Sequence, residues 1–358
     1  MHYLKKIFIG FCLTLILFLI LKTCFIKGKT KETLNDMDED KIIIGFAMDT
    51  LVHERWLRDR DIFVSRANEM GAEVIVQTAN SDGEEQKKQV QYLLDQNIDV
   101  LVLVPHDAES ATAIVKTAKN KGVKVISYDR LVKKANADLY ISFDNIKVGE
   151  MMGQAALEAA PEGNYLILNG SESDNNSFMF NEGYKNTLGD SIRSGKVHIV
   201  SETWVKDWLY EDAFKFVDEI LHTDTPIDAI IAANDTLAAA AVNALAERRL
   251  AGKVAVVGHD ADLDACQRIV EGIQVATIYK PIDQLAKKTV EYAITMAKGE
   301  SVQTDEKIYD GKYYIPYYKI DPVLVTKDNM IDVIIEDKFH AFEDVYMNIP
   351  KSQRPKID

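Results

Sequence analysis

Charged, amide and indole side chains recur in this sequence directly after short apolar runs. Asp129-Arg130 follows the run that ends at Tyr128, and Asn234-Asp235 follows the run 227–233. The residues that follow such runs are Arg55-Trp56, His106-Asp107, Asp129-Arg130, Asp174-Asn175-Asn176, Trp204, Asn234-Asp235, His259-Asp260 and Tyr279-Lys280. Because ligands of parallel α/β sheets bind at the carboxyl ends of the strands, we expect these side chains to share one cleft.

This mixture of side chains has the chemistry that a sugar ring requires. A pyranose presents an apolar face and a belt of hydroxyl groups, each of which donates and accepts hydrogen bonds. Indole rings can cover the faces, while carboxylate, amide and guanidinium groups bond the hydroxyl groups. A single aspartate after a strand can equally cap a helix or form a structural ion pair, so the joint placement carries the interpretation.

The residues after position 41 alternate apolar runs with stretches of helical period. Runs such as Ile42–Met48 and Val100–Val104 are continuous and apolar, which is typical of strands buried on both faces. Their alternation with helices predicts βαβ units, in a number too large for one six-stranded sheet. We predict an α/β fold of two doubly wound parallel-sheet lobes joined by a hinge of crossover strands, preceded by an N-terminal hydrophobic segment.

The predicted division of the chain has three parts. Residues 1–40 form a signal or anchor segment with its tether. Residues 41–145 and 281–315 form an N-terminal lobe, and residues 146–280 and 316–358 form a C-terminal lobe. The last predicted helix, Ile282–Lys298, and the extended segment Tyr313–Thr326 then serve as the return crossings between the lobes.

The leader indicates the compartment. Residues 1–31 contain six lysines and no acid, and Ile7–Leu21 is an uncharged, mostly apolar run. This run is compatible with an uncleaved membrane anchor, a cleaved or atypical secretory signal, or a lipoprotein modified at Cys24. It lacks a following small-x-small cleavage site, and Lys22 fits a lipidation site badly. All three interpretations place the remaining chain outside the cytoplasm, and a buried core helix is a weaker fourth.

Composition excludes several classes of function. The chain has 358 residues and a net charge of −14, which argues against a nucleic-acid binder that needs a basic face. Its three cysteines (Cys12, Cys24 and Cys266) are too scattered for a disulfide framework or a thiolate metal site. The seven histidines show no HExxH pattern, so we predict no metal and no cofactor.

Several motifs in register resemble the periplasmic sugar-binding proteins of the ribose and xylose cluster, and among them the D-xylose-binding proteins. The motifs are Glu54-Arg55-Trp56, Asp59–Phe63, Ser127–Arg130, Tyr140–Asn145, Asp174-Asn175-Asn176, Trp204 with Trp208-Leu209, Asn234-Asp235, Asp260-Ala261-Asp262 and Tyr279-Lys280-Pro281. The resemblance extends over about residues 41–344 and implies the type I periplasmic binding protein fold, whose two lobes close on one sugar.

The resemblance also implies a set of sugar-binding residues. They are Arg55, Trp56, Asp129, Arg130, Asp174, Asn176, Trp204, Asn234, Asp260 and Lys280. In this assignment Trp56 and Trp204 stack on the ring faces, while Trp208, at the start of a helix, belongs to the core. His259 stands where the xylose binders have glutamine, which adds a titratable group beside the site.

The resemblance implies a binding role with two possible partners. Similar xylose binders in some bacteria remain on the membrane and present the sugar state to a histidine kinase of the LytS type, and a poorly cleavable leader suits that role. The alternative is the binding component of an ABC-type uptake transporter, with a permease as partner. D-Xylose or a similar monosaccharide is the expected ligand in both cases.

Two other classes of protein fit the sequence less well. A glycosidase could use two of Asp129, Asp174 and Asp260, but arginine and lysine are equally frequent in the site and no nucleophile motif is present. A transcription repressor of the same two-lobed fold would begin with a helix-turn-helix, and here an apolar leader takes its place. We therefore predict that the protein is not an enzyme.

Overall fold

The N-terminal lobe is built on a seven-stranded sheet. The computed structural model describes residues 41–356, and the predicted leader, residues 1–40, lies outside the described residues. The strand order is β11-β12-β5-β4-β3-β1-β2, and β11 is the one antiparallel strand of this sheet. The strands are β1 (Ile43–Met48), β2 (Glu73–Thr78), β3 (Val100–Leu103), β4 (Lys124–Tyr128), β5 (Leu139–Phe143), β11 (Glu306–Tyr309) and β12 (Tyr314–Ile320). The helices that pack on them are α1 (Glu54–Glu69), α2 (Gly83–Asp95), α3 (Thr112–Asn120) and α9 (Ile282–Ala297).

The C-terminal lobe contains a four-stranded parallel sheet in the order β7-β6-β8-β9. Its strands are β6 (Gly163–Asn169), β7 (Val197–Trp204), β8 (Ala229–Ala232) and β9 (Ala255–Val257), and β10 (Thr277–Tyr279) pairs with β13 (Val323–Val325) beside them. A parallel bridge from Val257 to Ala276 joins this pair to the sheet. The helices are α4 (Asn145–Ala159), α5 (Asn175–Arg193), α6 (Tyr210–Leu221), α7 (Asp235–Glu247), α8 (Leu263–Glu271) and α10 (Phe342–Val345).

The central strands of both sheets are covered on both faces, which explains their continuous apolar sequences. Every residue of β3 and β8 is buried. Burial of such side chains removes apolar surface from water at about 25 cal/mol per Å². The predicted α/β architecture with parallel sheets is confirmed. Among residues 41–356, the helices do not combine the length and apolar character that a membrane span requires.

Three segments of chain pass between the lobes. They are Asp144 (from β5 to α4), Lys280-Pro281 (from β10 to α9) and Asp321-Pro322 (from β12 to β13). The first and third run side by side, because the Asp144 backbone N–H donates to Ile320 O at 3.0 Å. The predicted boundary at 315 falls inside β12, whose residues 317–320 pair with β5. The structure therefore places the third crossing after Ile320.

Close packing of α4 on α5 depends on two glycines. A Cβ atom at Gly149 would lie 2.1 Å from Phe180 O, and one at Gly183 would lie 2.1 Å from Ile146 O. Both distances are far below a van der Waals contact, so larger residues would push the helices apart. The close contact between α4 and α5 sets the position of the first turns of α5, which carry residues of the candidate site.

Candidate functional site

A cavity lies in the cleft between the lobes, at the carboxyl ends of the parallel strands. It has about 350 Å³ of space between the atoms, including its opening to solvent. Its lining residues are His53, Arg55, Trp56, Asp129, Arg130, Asp174, Asn176, Phe180, Trp208, Asn234, His259, Asp260 and Lys280. The structure thus brings together nine of the ten candidate residues, and the tenth, Trp204, lies elsewhere.

Arg55 reaches the cavity from the first turn of α1 and is 4% exposed. Its Nη2 donates to Asp129 Oδ2 at 2.8 Å, and its Nε donates to Asp59 Oδ2 at 3.3 Å, one helical turn further on. Asp59 also accepts a hydrogen bond from the Tyr128 hydroxyl, and burial raises the pKa of Asp59 to about 6. The guanidinium carbon lies 4.3 Å from the centroid of the Trp56 ring, a cation–π distance. Arg55 is therefore held rigidly beside the first indole.

Asp129 follows β4 with a left-handed backbone φ of 61°, which is uncommon outside glycine but tolerated by aspartate. Its carbonyl oxygen accepts hydrogen bonds from Tyr140 Oη (3.0 Å), Ser142 Oγ (2.6 Å) and Asn176 Nδ2 (3.1 Å). Burial opposes ionisation of the carboxyl group, but Arg55, Lys280 and Arg130 together outweigh this effect and lower the pKa of Asp129 below its ordinary value. The carboxylate is consequently charged and fixed in place.

Arg130 connects the two lobes. Its Nη1 donates to Asp49 Oδ2 at 2.8 Å within the N-terminal lobe, and its Nε lies 2.8 Å from Asp174 Oδ2 of the C-terminal lobe. Asp174 is the N-cap of α5, where its Oδ1 accepts the backbone N–H of Asn176 at 2.9 Å. Burial raises the pKa of Asp174 although Arg130 opposes the shift. This ion pair exists only while the lobes are together.

The two asparagines of the site differ in how their side-chain amides are hydrogen-bonded. Asn234 is the N-cap of α7, where its Oδ1 accepts the backbone N–H of Leu237 at 2.8 Å, and its Nδ2 remains as a donor for the cavity. Asn176 has its amide engaged by the protein, because Nδ2 donates to Asp129 and Oδ1 accepts from Asn145 at 3.0 Å. Asn176 thus positions Asp129 across the lobe boundary.

Asp260 and Lys280 form the floor of the site near a crossing segment. Asp260 has φ of 104°, and its backbone N–H donates to Ile278 O at 2.9 Å. Lys280 Nζ lies 2.8 Å from Asp260 Oδ1, and Arg55 Nη1 lies 3.6 Å from the same oxygen. Burial disfavours the Asp260 carboxylate, but Lys280, His259 and Arg55 together outweigh burial and hold its pKa well below the ordinary value. Lys280 therefore belongs both to the site and to one of the chain segments that cross between the lobes.

The second indole of the cavity is Trp208, and Trp204, which was predicted to stack on the sugar, does not line the cavity. Trp204 ends β7, is partly exposed and packs on Phe178 with ring centroids 4.7 Å apart. The next residues take left-handed conformations at Asp207 and Trp208 (φ of 50° and 59°), which redirects the chain. Trp208 then lies over Gly170, where a Cβ atom would be only 2.1 Å from its Cη2. Trp208 is buried as predicted, but it also lines the cavity.

Four lining residues were absent from the sequence-based set, namely His53, Phe180, Trp208 and His259, the last of which was predicted only to lie beside the site. Phe180 had a usable signal, because it stands four residues after Asn176 and so lies on the same face of α5. Trp208 Nε1 is buried and has no hydrogen-bond partner among residues 41–356, so it is a donor available to a ligand. His53 precedes α1 and its Nδ1 lies 3.3 Å from Thr236 Oγ1 of the other lobe.

His259 is fully enclosed and uncharged at neutral pH. Its ring lies 4.5 Å from the Phe180 ring, and its Nδ1 lies 3.2 Å from Asp260 Oδ1. Burial, followed by the positive charge of Lys280, lowers the pKa of His259 from 6.5 to about 4. Between these pH values the unfolded chain binds a proton at this position and the folded chain does not.

This shift predicts a pH dependence of stability that His259→Gln removes. A folded-state pKa below the unfolded value stabilises the fold above pH 6.5, and this contribution disappears as the pH falls toward 4, by about 3 kcal/mol in total. Urea denaturation from pH 7 to pH 4 should therefore show wild type losing stability relative to His259→Gln. His198→Gln, at an exposed position, is the control. Parallel stability profiles for wild type and His259→Gln would contradict the assignment.

The charges of the cavity are paired within the protein. The pairs are Arg55–Asp129, Arg130–Asp174 and Lys280–Asp260, each with an N···O distance of 2.8 Å. A phosphate or carboxylate ligand would need a cation without such a partner, and its buried charge would be costly. Over residues 41–356, histidine, cysteine and acidic side chains do not gather in groups of three that could hold a metal ion. The arrangement suits a neutral, polyhydroxylated ligand between two indoles.

Comparison with known proteins is consistent with this geometry. Residues 44–301 match the family model described as the periplasmic binding protein domain. The chain is 43% identical over 304 residues to the D-xylose-binding periplasmic protein of Haemophilus influenzae, covering 85% of this chain and 92% of that protein. It is 41% identical to the protein of that name from Escherichia coli, covering 84% and 91%. A carbohydrate transporter solute binding protein from Chloroflexus aurantiacus, solved with D-glucose, has 27% identity and a TM-score of 0.80, covering 85% and 98%.

These similarities confirm several predictions made from the sequence. The chain is a sugar-binding protein and not an enzyme, and its body is extracytoplasmic, as in the periplasmic relatives. The family match spans β1 to α9 and so includes every residue that lines the cavity. The chain belongs to the periplasmic binding protein family, as a type I sugar-binding member similar to D-xylose-binding proteins.

Proposed function

We propose that this protein binds D-xylose or a closely similar monosaccharide between its lobes and reports the bound state to a membrane sensor histidine kinase. The observation that carries the ligand assignment is the cavity itself, in which two indoles flank three mutually neutralised ion pairs. The unpaired donors Trp208 Nε1 and Asn234 Nδ2 suit hydroxyl oxygens, which accept hydrogen bonds. The identity to two D-xylose-binding proteins supports the choice of sugar.

The proposed mechanism is a shift between open and closed arrangements of the lobes. The three crossing segments act as the hinge, and the Arg130–Asp174 and Asn176–Asp129 contacts join the lobes in the closed form. A sugar that touches both lobes binds the closed form more tightly and so increases its population. The change in outer surface is what a membrane partner then detects.

A histidine kinase is our first choice of partner because of the leader. The uncharged run Ile7–Leu21 lies between lysines and lacks a small-x-small site, which suits a binder that remains on the membrane. The alternative is a subunit of a sugar uptake transporter, and the similar solved protein from Chloroflexus aurantiacus belongs to such a transporter. Capture of the full-length chain by a kinase extracellular domain, or by a permease, with and without xylose, distinguishes the two.

Isothermal titration tests the ligand assignment. The full-length chain, in a detergent without a sugar headgroup, is titrated with D-xylose, ribose, glucose, galactose and D-xylonate. We expect xylose to bind most tightly and xylonate at least about a hundredfold more weakly, because its carboxylate would meet no unpaired cation. Tight xylonate binding would contradict the neutral-ligand argument, and no heat with any of the sugars would refute the proposed function.

A further inference from the structure

A turn near the C-terminus contacts the chain neighbours of two residues of the site. We call Asp337–His340 the C-terminal turn. The Tyr279 hydroxyl donates to the Asp337 carboxylate, and the Phe339 ring packs on the Tyr279 ring with centroids 4.8 Å apart. His340 Nε2 lies 2.7 Å from the carbonyl oxygen of Ala261. Tyr279 and Ala261 are the chain neighbours of Lys280 and Asp260, so the turn supports the backbone that carries this ion pair.

The same turn contacts the opposite lobe through one arginine of α1. Arg58 Nη1 donates to the carbonyl oxygen of Phe339, and Arg58 Nη2 lies 3.1 Å from His340 Nδ1. The guanidinium carbon also lies 4.5 Å from the centroid of the Phe339 ring. Arg58 stands three residues after Arg55 on one helix, yet it does not line the cavity.

The hydrogen-bond pattern of His340 suits this bridging position. A carbonyl oxygen can only accept, so Nε2 must carry the proton that it donates to Ala261. Nδ1 of the neutral ring is then an acceptor, and it faces a guanidinium group, which can only donate. The imidazole therefore joins the Asp260 segment of one lobe to α1 of the other lobe.

The contacts of Arg58 with the C-terminal turn exist only when the lobes are together, because each joins α1 of the N-terminal lobe to the C-terminal lobe. Interactions present in one of two conformations shift the equilibrium toward that conformation. The turn is also held to its own lobe by the core around Tyr279, Met330 and Ile334. The C-terminal turn therefore moves with the C-terminal lobe and loses its contacts with Arg58 when the lobes open.

We propose that Arg58 and the C-terminal turn form an interlobe clamp that stabilises the closed form and sets how long the sugar is held. Arg58 is thus a positioning residue, which acts on the site without touching the ligand. The inference rests on the proposed sugar-binding function and adds to it a determinant outside the cavity.

The test compares Arg58→Ala with Arg66→Ala in the full-length chain. Arg66 lies on the same helix but bonds Glu69 and Glu291 within its own lobe, so it is a matched control. For Arg58→Ala we expect xylose to bind about tenfold more weakly, with a faster dissociation rate and little change in association rate. Arg66→Ala should bind as wild type does. Thermal denaturation monitors folding, and Arg58→Gln replaces Arg58→Ala if the latter is unstable.

Small-angle X-ray scattering measures the compactness of the protein and does not require sugar binding. Sugar-free Arg58→Ala should be more expanded than sugar-free wild type and Arg66→Ala, because the clamp no longer favours closure. Unchanged affinity and unchanged compactness in Arg58→Ala would overturn the clamp. A wild type that binds no sugar would refute the proposed function, whereas the scattering comparison would still decide whether the clamp exists.

Discussion

Trp208→Ala is expected to weaken monosaccharide binding by about tenfold to a hundredfold, while Trp204→Ala leaves it within about twofold of wild type. Trp208 lines the cavity and is 7% exposed, whereas Trp204 packs on the half-exposed Phe178 outside it. Removing the Trp208 indole takes away an apolar wall and the unpaired donor Nε1. A loss of about 1.4 kcal/mol is tenfold in affinity, and truncation of a buried aromatic commonly exceeds that value.

Trp208→Phe separates the two contributions of the indole. Phenylalanine keeps an aromatic face beside Gly170 but lacks the N–H group, so we expect an intermediate affinity. Calorimetric titration with D-xylose gives the affinities, and thermal denaturation shows whether each variant remains folded. Wild-type affinity in Trp208→Ala, or a large loss in Trp204→Ala, would restore the assignment made from the sequence.

The positions of Trp204 and Trp208 show a structural feature that sequence patterns do not predict. The sequence correctly indicated a strand at β7, and the end of that strand is where a ligand-binding side chain was expected. The direction of the side chain then depends on two consecutive left-handed residues, Asp207 and Trp208. The periodicity of the sequence does not predict this backbone path, because the path depends on contacts with Ser171 and Gly170 at a neighbouring strand end.

The other nine candidate residues could be placed because each follows directly from a strand or begins a helix. Parallel strands that end at one edge of a sheet bring Asn234 and Asp260 together, and Asp129 lies at the corresponding edge of the other sheet, across the cleft. The link between Arg58 and His340 could not be foreseen in this way. The two residues are 282 positions apart, and their contact depends on packing of the C-terminal segment against α8 and β10.

Arg130→Met is expected to reduce sugar affinity by at least about a hundredfold. Removing one partner of a buried ion pair costs about 3–5 kcal/mol, because the other charge remains buried and unpaired. In this chain that charge is Asp174, which is 3% exposed and whose pKa is already raised by burial. Asp49, the other partner of Arg130, retains His106 at 2.8 Å. The penalty therefore falls on the closed form, in which Asp174 is enclosed.

Asp174→Asn is the companion variant for a double-mutant cycle. Asparagine keeps the N-cap of α5 and the size of the side chain, so this change removes charge with little effect on the helix. Combined with Arg130→Met, it also removes the unpaired carboxylate, and the double variant should lose less affinity than the two single losses combined. We expect a coupling of about 2 kcal/mol or more from calorimetric titration with D-xylose.

The cycle also tests whether the ion pair belongs to closure or only to folding. A pair that only stabilised the fold would lower the denaturation temperature of Arg130→Met and leave the affinity of the folded fraction unchanged. Because Arg130 and Asp174 lie on different lobes 2.8 Å apart, we expect the opposite order, with affinity reduced more than sugar-free stability. Independent, additive losses in the cycle would mean that each residue meets the ligand separately and that the pair does not bridge the lobes during binding.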